Sequence, residues 1–417
     1  MNPFVSKNNT LFAENVALNQ IAQTFDTPCY VYSKSALTEA FKNFSAGFAG
    51  CDHLVCFAVK ANPSLAILNL FAGLGAGFDI VSGGELARVL AAGGDPKKVV
   101  FSGVGKTETE MRAALNASIL CFNVESASEL KRLNKVAEEM GKIAPVSLRV
   151  NPNVDAKTHP YISTGLKNNK FGVAYEDALD IYTQAAAMQN IAIHGVDCHI
   201  GSQITELSPF LDAFDRVLAL VDALAQRNIL IQHIDAGGGI GICYNDETPP
   251  AFDVFAKAMR EKLGSRNIKL VFEPGRALVG NAGLLLTKVE YLKHAEAKNF
   301  AIVDAAMNDL MRPALYDAYH DIKAVQPRDG QTQVYEIVGP VCESGDFLGH
   351  DRSFDLAEGD LLAIMSAGAY GMSMSSNYNT RPRAAEVMVE GDQCHLIRKR
   401  ESIPELFAAE SILPSHN

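Results

Sequence analysis

Between residues 54 and 275 the sequence keeps one rhythm, in which short β-rich runs alternate with helical stretches. The runs are LVCFAVK (54–60), FDIVS (78–82), VVFSG (99–103), ILCFNVE (119–125), VSLRV (146–150), IHGVDCHIG (193–201), IQHIDA (231–236) and KLVFEPG (269–275). Val55 to Val59 read as a strand buried on both faces in the first of these runs. Between them lie stretches with helical periodicity, such as GELARVLAAGG, SASELKRLNKVAEEMG and SPFLDAFDRVLALVDALAQR. Eight strands joined by helical crossovers predict a (β/α)8 TIM barrel, with a doubly wound open sheet as the alternative.

After about residue 282 the rhythm changes. TKVEYLKHA, NFAIVDA, TQVYEIVGPVCE, DLLAIMSAGAY and RAAEVMVEGDQCHLIRK are strand-like and joined by turns, which predicts a mostly antiparallel β-domain. YVYS near residue 30 reads as a further strand of that domain. The division expected is a barrel over 33–281 and a β-domain built from 1–32 and 282–417. The segment 151–173 is too long for a simple βα turn and reads as a lid.

Composition narrows the function classes. With 417 residues, 48% hydrophobic and 20% charged, this is an ordinary globular composition. A net charge of −11 without a basic stripe argues against nucleic-acid binding. The N-terminus lacks the pattern of a signal peptide, and no apolar run is long enough to span a bilayer. The eight cysteines include no C-x-x-C pair, so neither a zinc site nor a disulfide framework is indicated, and the cytoplasm is the expected compartment.

In a barrel, functional groups gather at the C-terminal ends of the strands. Those ends carry Lys60, Asp79, Asn123, Arg149, His199, Gly237 to Gly239, and Glu273 to Arg276. Lys60 ends an apolar run. Most lysines are surface or salt-bridged, but one desolvated at a strand end has a lowered pKa and a nucleophilic amine, as a Schiff-base lysine requires. DAGGGIGI (235–242) follows a strand without a helix opening directly after it, so it is a weak dinucleotide fingerprint. Its glycines would form either a flexible turn or a backbone nest for phosphate. HIGSQ adds Ser202 as a phosphate donor and His199 as a flat ring. Glu273 and Arg276 could be a structural ion pair, or could serve a protonated ring nitrogen and an anion separately. Lysine, phosphate nest and carboxylate together are what pyridoxal 5'-phosphate requires.

The ordered set FAVKANP, FDIVSGGEL, HIGSQ, GGGIGI, EPGR, CESGDFL and AGAYG resembles the fold-type III pyridoxal-phosphate decarboxylases over essentially the whole chain. The resemblance implies an alanine-racemase-like barrel with a C-terminal β-domain. It implies that Lys60 carries the cofactor, His199 stacks on its ring, Glu273 meets the ring nitrogen, and Ser202, Gly239, Gly275 and Arg276 hold the phosphate. Asp79, Arg149 and Tyr370 also fall among the cofactor-binding positions. Arg276, Arg312, Tyr316, Glu343 and Tyr370 match substrate-binding positions, and Cys342 matches the proton donor. An isolated cysteine is more often a small buried hydrophobe, and its company in CESGD singles this one out. More closely, the sequence resembles a branch that acts on meso-diaminopimelate and gives L-lysine, the last step of lysine synthesis. It also implies a head-to-tail homodimer with shared active sites. The alternatives are a related decarboxylase of another basic amino acid or carboxynorspermidine, a racemase with the same barrel, or a non-catalytic cofactor-binding homologue.

Overall fold

A computed structural model describes residues 3–155 and 169–414, so most of the segment read as a lid lies outside the described residues. The chain divides into two compact units. One comprises residues 38–243 and 247–278, the other residues 1–37, 244–246 and 279–417.

The first unit is a closed barrel of eight parallel strands. They are β1 (His53–Ala58), β2 (Gly77–Ile80), β3 (Val99–Phe101), β4 (Cys121–Val124), β5 (Ala144–Asn151), β6 (Ile191–Asp197), β7 (His233–Asp235) and β8 (Lys269–Phe272). Each pairs in parallel with the next, and β8 closes on β1 through Val271 opposite Leu54. All eight overlap the predicted runs, and β1, β2, β5 and β6 begin one or two residues earlier. Strands β2, β3, β4 and β7 are buried at every position, as both-face coverage requires. Cys56, Val100, Cys121 and Val271 form one cluster of the interior.

The helices begin where local chemistry starts them. Ser82 accepts from the Glu85 backbone N–H while Glu85 accepts from that of Val81 at 2.6 Å, which explains the S-G-G-E of FDIVSGGEL. Thr107 and Glu110 form a full capping box. A helix at Lys34–Gly47, not anticipated above, carries Phe44 against Phe272 and Phe255, while Phe48 just beyond it lies 4.2 Å from Phe272. These rings form one aromatic cluster against β8.

The second unit is a mixed sheet. Its order runs Phe347–Phe354, Gln333–Val338, Asn299–Val303, Gly283–Lys293, Cys29–Ser33, Ala385–Glu390, Gln393–Arg398. Most pairings are antiparallel, as expected, but Asn299–Val303 with Gln333–Val338 and Cys29–Ser33 with Ala385–Glu390 are parallel. The strand near residue 30 is therefore central, and buried at all positions. A small antiparallel sheet of Phe4–Lys7, Thr10–Ala13 and Val16–Ala17, with the helix Leu18–Phe25, packs Phe4, Leu11 and Ile21 onto Val31, Leu284 and Val387.

Candidate active site

The barrel brings the singled-out residues from Lys60 to Arg276 to the C-terminal ends of its strands. Lys60 lies just past β1, in a short 3-10 turn over Val59–Ala61. Its Nζ donates to Asp79 Oδ2 of β2 at 2.5 Å. The expected burial of the amine is not found, because the Lys60 side chain is 36% exposed while that of Asp79 is fully buried. An apolar run tells where a strand goes, not where the side chain after it points. Gly275 explains part of this approach: a Cβ there would lie 2.9 Å from Ala61 Cβ and 3.1 Å from Ala58 Cβ, against the turn that presents Lys60.

Beneath this rim sits an acidic array that the sequence reading passed over. Asp197 and Asp235 stand in register on β6 and β7, and oxygens of Asp197, Asp235 and Glu273 lie within 4.8 Å of one another. Asn123 Nδ2 bridges Glu273 Oε1 at 3.3 Å and Asp235 Oδ2 at 3.4 Å, and Ser102 Oγ lies 3.3 Å from the same Glu273 oxygen. Burial, then the charge of Asp79, pushes Glu273 up to about 7, with Lys60 and Arg149 opposing. Asp197 and Asp235 are held well above the carboxylate range by burial and by Glu273. All three shifts favour the protonated carboxyls, and a cationic ring nitrogen placed at Glu273 would favour its carboxylate. The signal was legible: VDC and IDA each put an acid at the end of an apolar strand.

Arg149 of β5 is buried and pairs with Glu125 at 3.1 Å. Glu125 also accepts backbone N–H groups of Gly103 and Gly172 at 2.9 and 2.8 Å, which ties three strand-end loops together. His199, two residues past β6, is half-buried, and its Nδ1 accepts from the Gly238 backbone at 3.2 Å. That bond requires a lone pair on Nδ1, and burial followed by the charges of Arg149 and Lys60 keeps the ring neutral. The imidazole is thus fixed as a flat, uncharged plate.

The glycine run is a cradle. Gly237 and Gly239 have φ of +68° and +107°, and a Cβ on Gly238 would run into the Glu273 carbonyl. Ile204 donates to the Gly239 carbonyl at 2.9 Å, pinning HIGSQI to GGGI, and Arg276 Nη2 donates to Ser202 Oγ at 3.1 Å. Arg276 thus joins Ser202 of the preceding strand-end loop. The donor set fits pyridoxal phosphate: an amine for its aldehyde, a flat ring, a carboxyl for its ring nitrogen, and a side-chain-free cradle beside a hydroxyl and a guanidinium for its phosphate.

The second unit holds the remaining singled-out residues. Arg312 is buried and Tyr316 half-buried on the short helix Arg312–Tyr316. Cys342 and Glu343 are exposed, so Cys342 is not a core hydrophobe. The Cys342 backbone N–H donates to Asn379 Oδ1 at 2.9 Å, and Tyr378 Oη donates to Glu343 Oε1 at 2.5 Å, raising the Tyr378 pKa. Tyr370 in AGAYG sits at φ +55°, unusual for an aromatic residue. Tyr244, His320, Tyr378 and Asn379 were not anticipated, because only tertiary contacts connect them to the motifs.

The fold and this donor set define a pyridoxal-phosphate barrel enzyme. Residues 34–280 match the family described as "Pyridoxal-dependent decarboxylase, pyridoxal binding domain". The chain is 61% identical to diaminopimelate decarboxylase of Pseudomonas aeruginosa, over 99% of this chain and 100% of that one. It is 59% identical to the Vibrio cholerae diaminopimelate decarboxylase, over 97% of each. Its fold superimposes on the crystal structure of diaminopimelate decarboxylase from Helicobacter pylori complexed with L-lysine with a TM-score of 0.92 and 42% identity, covering 94% of this chain and 99% of that one. The chain belongs to the diaminopimelate decarboxylase family.

Proposed function

We propose that this protein decarboxylates meso-2,6-diaminopimelate to L-lysine and carbon dioxide, with pyridoxal 5'-phosphate as cofactor. The observation that carries the reading is the strand-end set of Lys60, His199, the Gly237–Gly239 cradle and Glu273, in a chain 61% identical to a diaminopimelate decarboxylase along its whole length. Lys60 would hold the cofactor through its amine and His199 would stack on its ring. Glu273 would meet the ring nitrogen, and Ser202, Gly239, Gly275 and Arg276 the phosphate. Asp79, Arg149 and Tyr370 complete the cofactor contacts. Bound pyridoxal phosphate supplies the electron sink for the pair left behind when carbon dioxide departs.

The chain's own groups do the rest. Cys342 Sγ delivers a proton to the carbon that has lost its carboxylate. The substrate has a second amino-acid head, which needs a cation for its carboxylate and an anion for its ammonium. Arg312 and Glu343 supply both, with Tyr316, Tyr370 and Arg276 as further substrate contacts. Lysine or ornithine bound as substrate, with the single carboxylate at the reacting carbon, would leave Arg312 without a partner, and such a missing partner can discriminate by about 10⁴–10⁵. The assembly is a homodimer with two shared sites. Its support is the exposure of Cys342 and Glu343 on a single chain, where a reacting pair needs a covered surface. All eight cysteines are free thiols, in keeping with a cytoplasmic protein, and among the described residues no helix is long and apolar enough to cross a membrane.

The deciding experiment is incubation with meso-diaminopimelate and pyridoxal phosphate, followed by chiral analysis. Appearance of L-lysine with release of carbon dioxide is the expected result. Absence of lysine, with turnover of another diamino acid instead, would overturn the reading.

A further inference from the structure

Tyr244 and His320 both contact the Arg312 guanidinium. Its Cζ lies 4.5 Å from the centroid of the Tyr244 ring, and its Nη1 lies 2.9 Å from His320 Nε2. His320 is fully buried, and its Nδ1 lies 2.8 Å from the Met365 carbonyl oxygen. The Tyr244 and His320 rings meet edge to face at 5.2 Å and 77°. A guanidinium can only donate and a carbonyl can only accept. Both partners of the imidazole therefore dictate one state: a lone pair on Nε2 towards Arg312 and a proton on Nδ1 towards Met365. A doubly protonated ring would turn N–H against N–H and cation against cation. The imidazole and the phenol ring together fix the plane of the fork.

We propose that His320 and Tyr244 are positioning residues which aim Arg312 at the carboxylate of the substrate head that the reaction leaves intact. The inference rests on the assignment of Arg312 to that carboxylate. Bidentate recognition of a carboxylate demands a guanidinium of defined plane, and a face-on ring plus one in-plane acceptor define a plane. The geometry is assembled from residues distant in sequence: Tyr244 follows the GGGIGI run, Arg312 opens a short helix, and His320 and Met365 are joined through the imidazole.

Decarboxylation at one end of meso-diaminopimelate leaves the other carboxylate on L-lysine, whereas 1,5-diaminopentane has none. Calorimetric binding of these two ligands to the holoenzyme reads the carboxylate contact directly. His320→Gln places a carboxamide oxygen near the position of Nε2. His320→Asn ends near Nδ1, keeping a donor for Met365 and losing contact with Arg312. His320→Asn is expected to weaken L-lysine about tenfold or more, the loss for a hydrogen bond to a charged group, and His320→Gln to restore most of it. Diaminopentane affinity should stay level in both. Tyr244→Leu should weaken L-lysine more than Tyr244→Phe, which keeps the ring face, and this pair decides the matter if His320→Asn does not fold. Equal losses in His320→Asn and His320→Gln, parallel losses for diaminopentane, or parental L-lysine affinity in His320→Asn would each overturn the inference. Arg312→Ala separates the two levels. If it leaves L-lysine binding unchanged, the carboxylate assignment falls and the inference with it. If it weakens L-lysine and His320→Asn does not, only the positioning role falls.

Discussion

Lys60 Nζ and Asp79 Oδ2 meet at 2.5 Å, joining the turn after β1 to the adjacent strand β2. Asp79 is fully buried, and among the described residues its Oδ1 has no hydrogen-bond partner. The lysine charge therefore compensates a carboxylate with little else to satisfy it.

Lys60→Ala should do two separable things. The borohydride-trapped lysine–cofactor adduct should disappear, and the protein should lose stability because Asp79 is stranded. Adding Asp79→Asn should recover roughly 1–3 kcal/mol of that stability, the usual penalty for an unsatisfied buried group, without restoring the adduct. Peptide mapping of the adduct and melting curves of the two variants check this. An adduct on another lysine, or a double mutant no more stable than Lys60→Ala, would remove the assignment or the ion-pair argument respectively.

A second prediction follows from Glu273, whose pKa is pushed from 4.5 up to about 7 by burial and by Asp79. The folded, cofactor-free protein keeps a proton there that the unfolded chain has already released. Its contribution to stability is thus fully present below about pH 4.5 and lost as pH rises through about 7, amounting to roughly 3 kcal/mol. Glu273→Gln does not titrate at this position. Apo parent should therefore lose stability relative to apo Glu273→Gln between pH 4.5 and 8. A difference that stays constant across that range would mean that Glu273 ionises normally in the folded chain.

How much of this was legible depended on whether the signal was local. The barrel was readable because β-rich runs recur between helical stretches and polar residues near their ends mark one rim. The strand-end runs ending in Asp197 and Asp235 carried that same mark as Glu273 and were overlooked in favour of the motif residues. The helix Lys34–Gly47 was also available, since Leu37, Phe41, Phe44 and Phe48 recur at helical spacing and are all buried. The strand Phe347–Phe354 was harder, because LGHDRS alternates too weakly to stand out beside the CESGD motif. Lys60 was expected to be buried and is not, because neighbouring apolar residues report on the backbone's path alone. Tyr244 and His320 could not be connected to Arg312 from sequence, as only the folded sheet brings them together.

Cys342 should be a donor of protons, not a binding group. Cys342→Ala is expected to lower kcat by about 10²–10⁴ while leaving L-lysine affinity close to that of the parent. Stopped-flow turnover beside calorimetry checks this, and undiminished turnover would hand the role to another group or to water.

Because Cys342 and Glu343 are exposed on one chain, a shared site makes a stronger prediction. Neither Lys60→Ala nor Cys342→Ala should turn over well alone. Co-expressed heterodimers should recover activity, since one of the two sites would combine an intact Lys60 with an intact Cys342 from the other chain. No recovery in verified heterodimers would place each complete site within a single chain.

The last prediction concerns Arg312, buried at 6% exposure with its guanidinium stacked on Tyr244 and bonded to His320. Arg312→Lys keeps the charge but loses the planar fork, and an ammonium can neither stack as a plane nor reach two carboxylate oxygens together. It should impair kcat/KM for meso-diaminopimelate, and Arg312→Ala should impair it further. Removing one partner of a buried, hydrogen-bonded charge pair costs about 2–5 kcal/mol, which corresponds to about 30- to several-thousand-fold in kcat/KM. The visible spectrum of the bound cofactor should not change, because this residue is assigned to substrate. If Arg312 served only to hold its own unit together through Tyr244 and His320, the alanine variant would melt earlier and lose all ligands alike. Kinetics, melting curve and spectrum on the same preparation separate these outcomes. A variant that melts normally and processes meso-diaminopimelate at the parental rate would refute the substrate assignment.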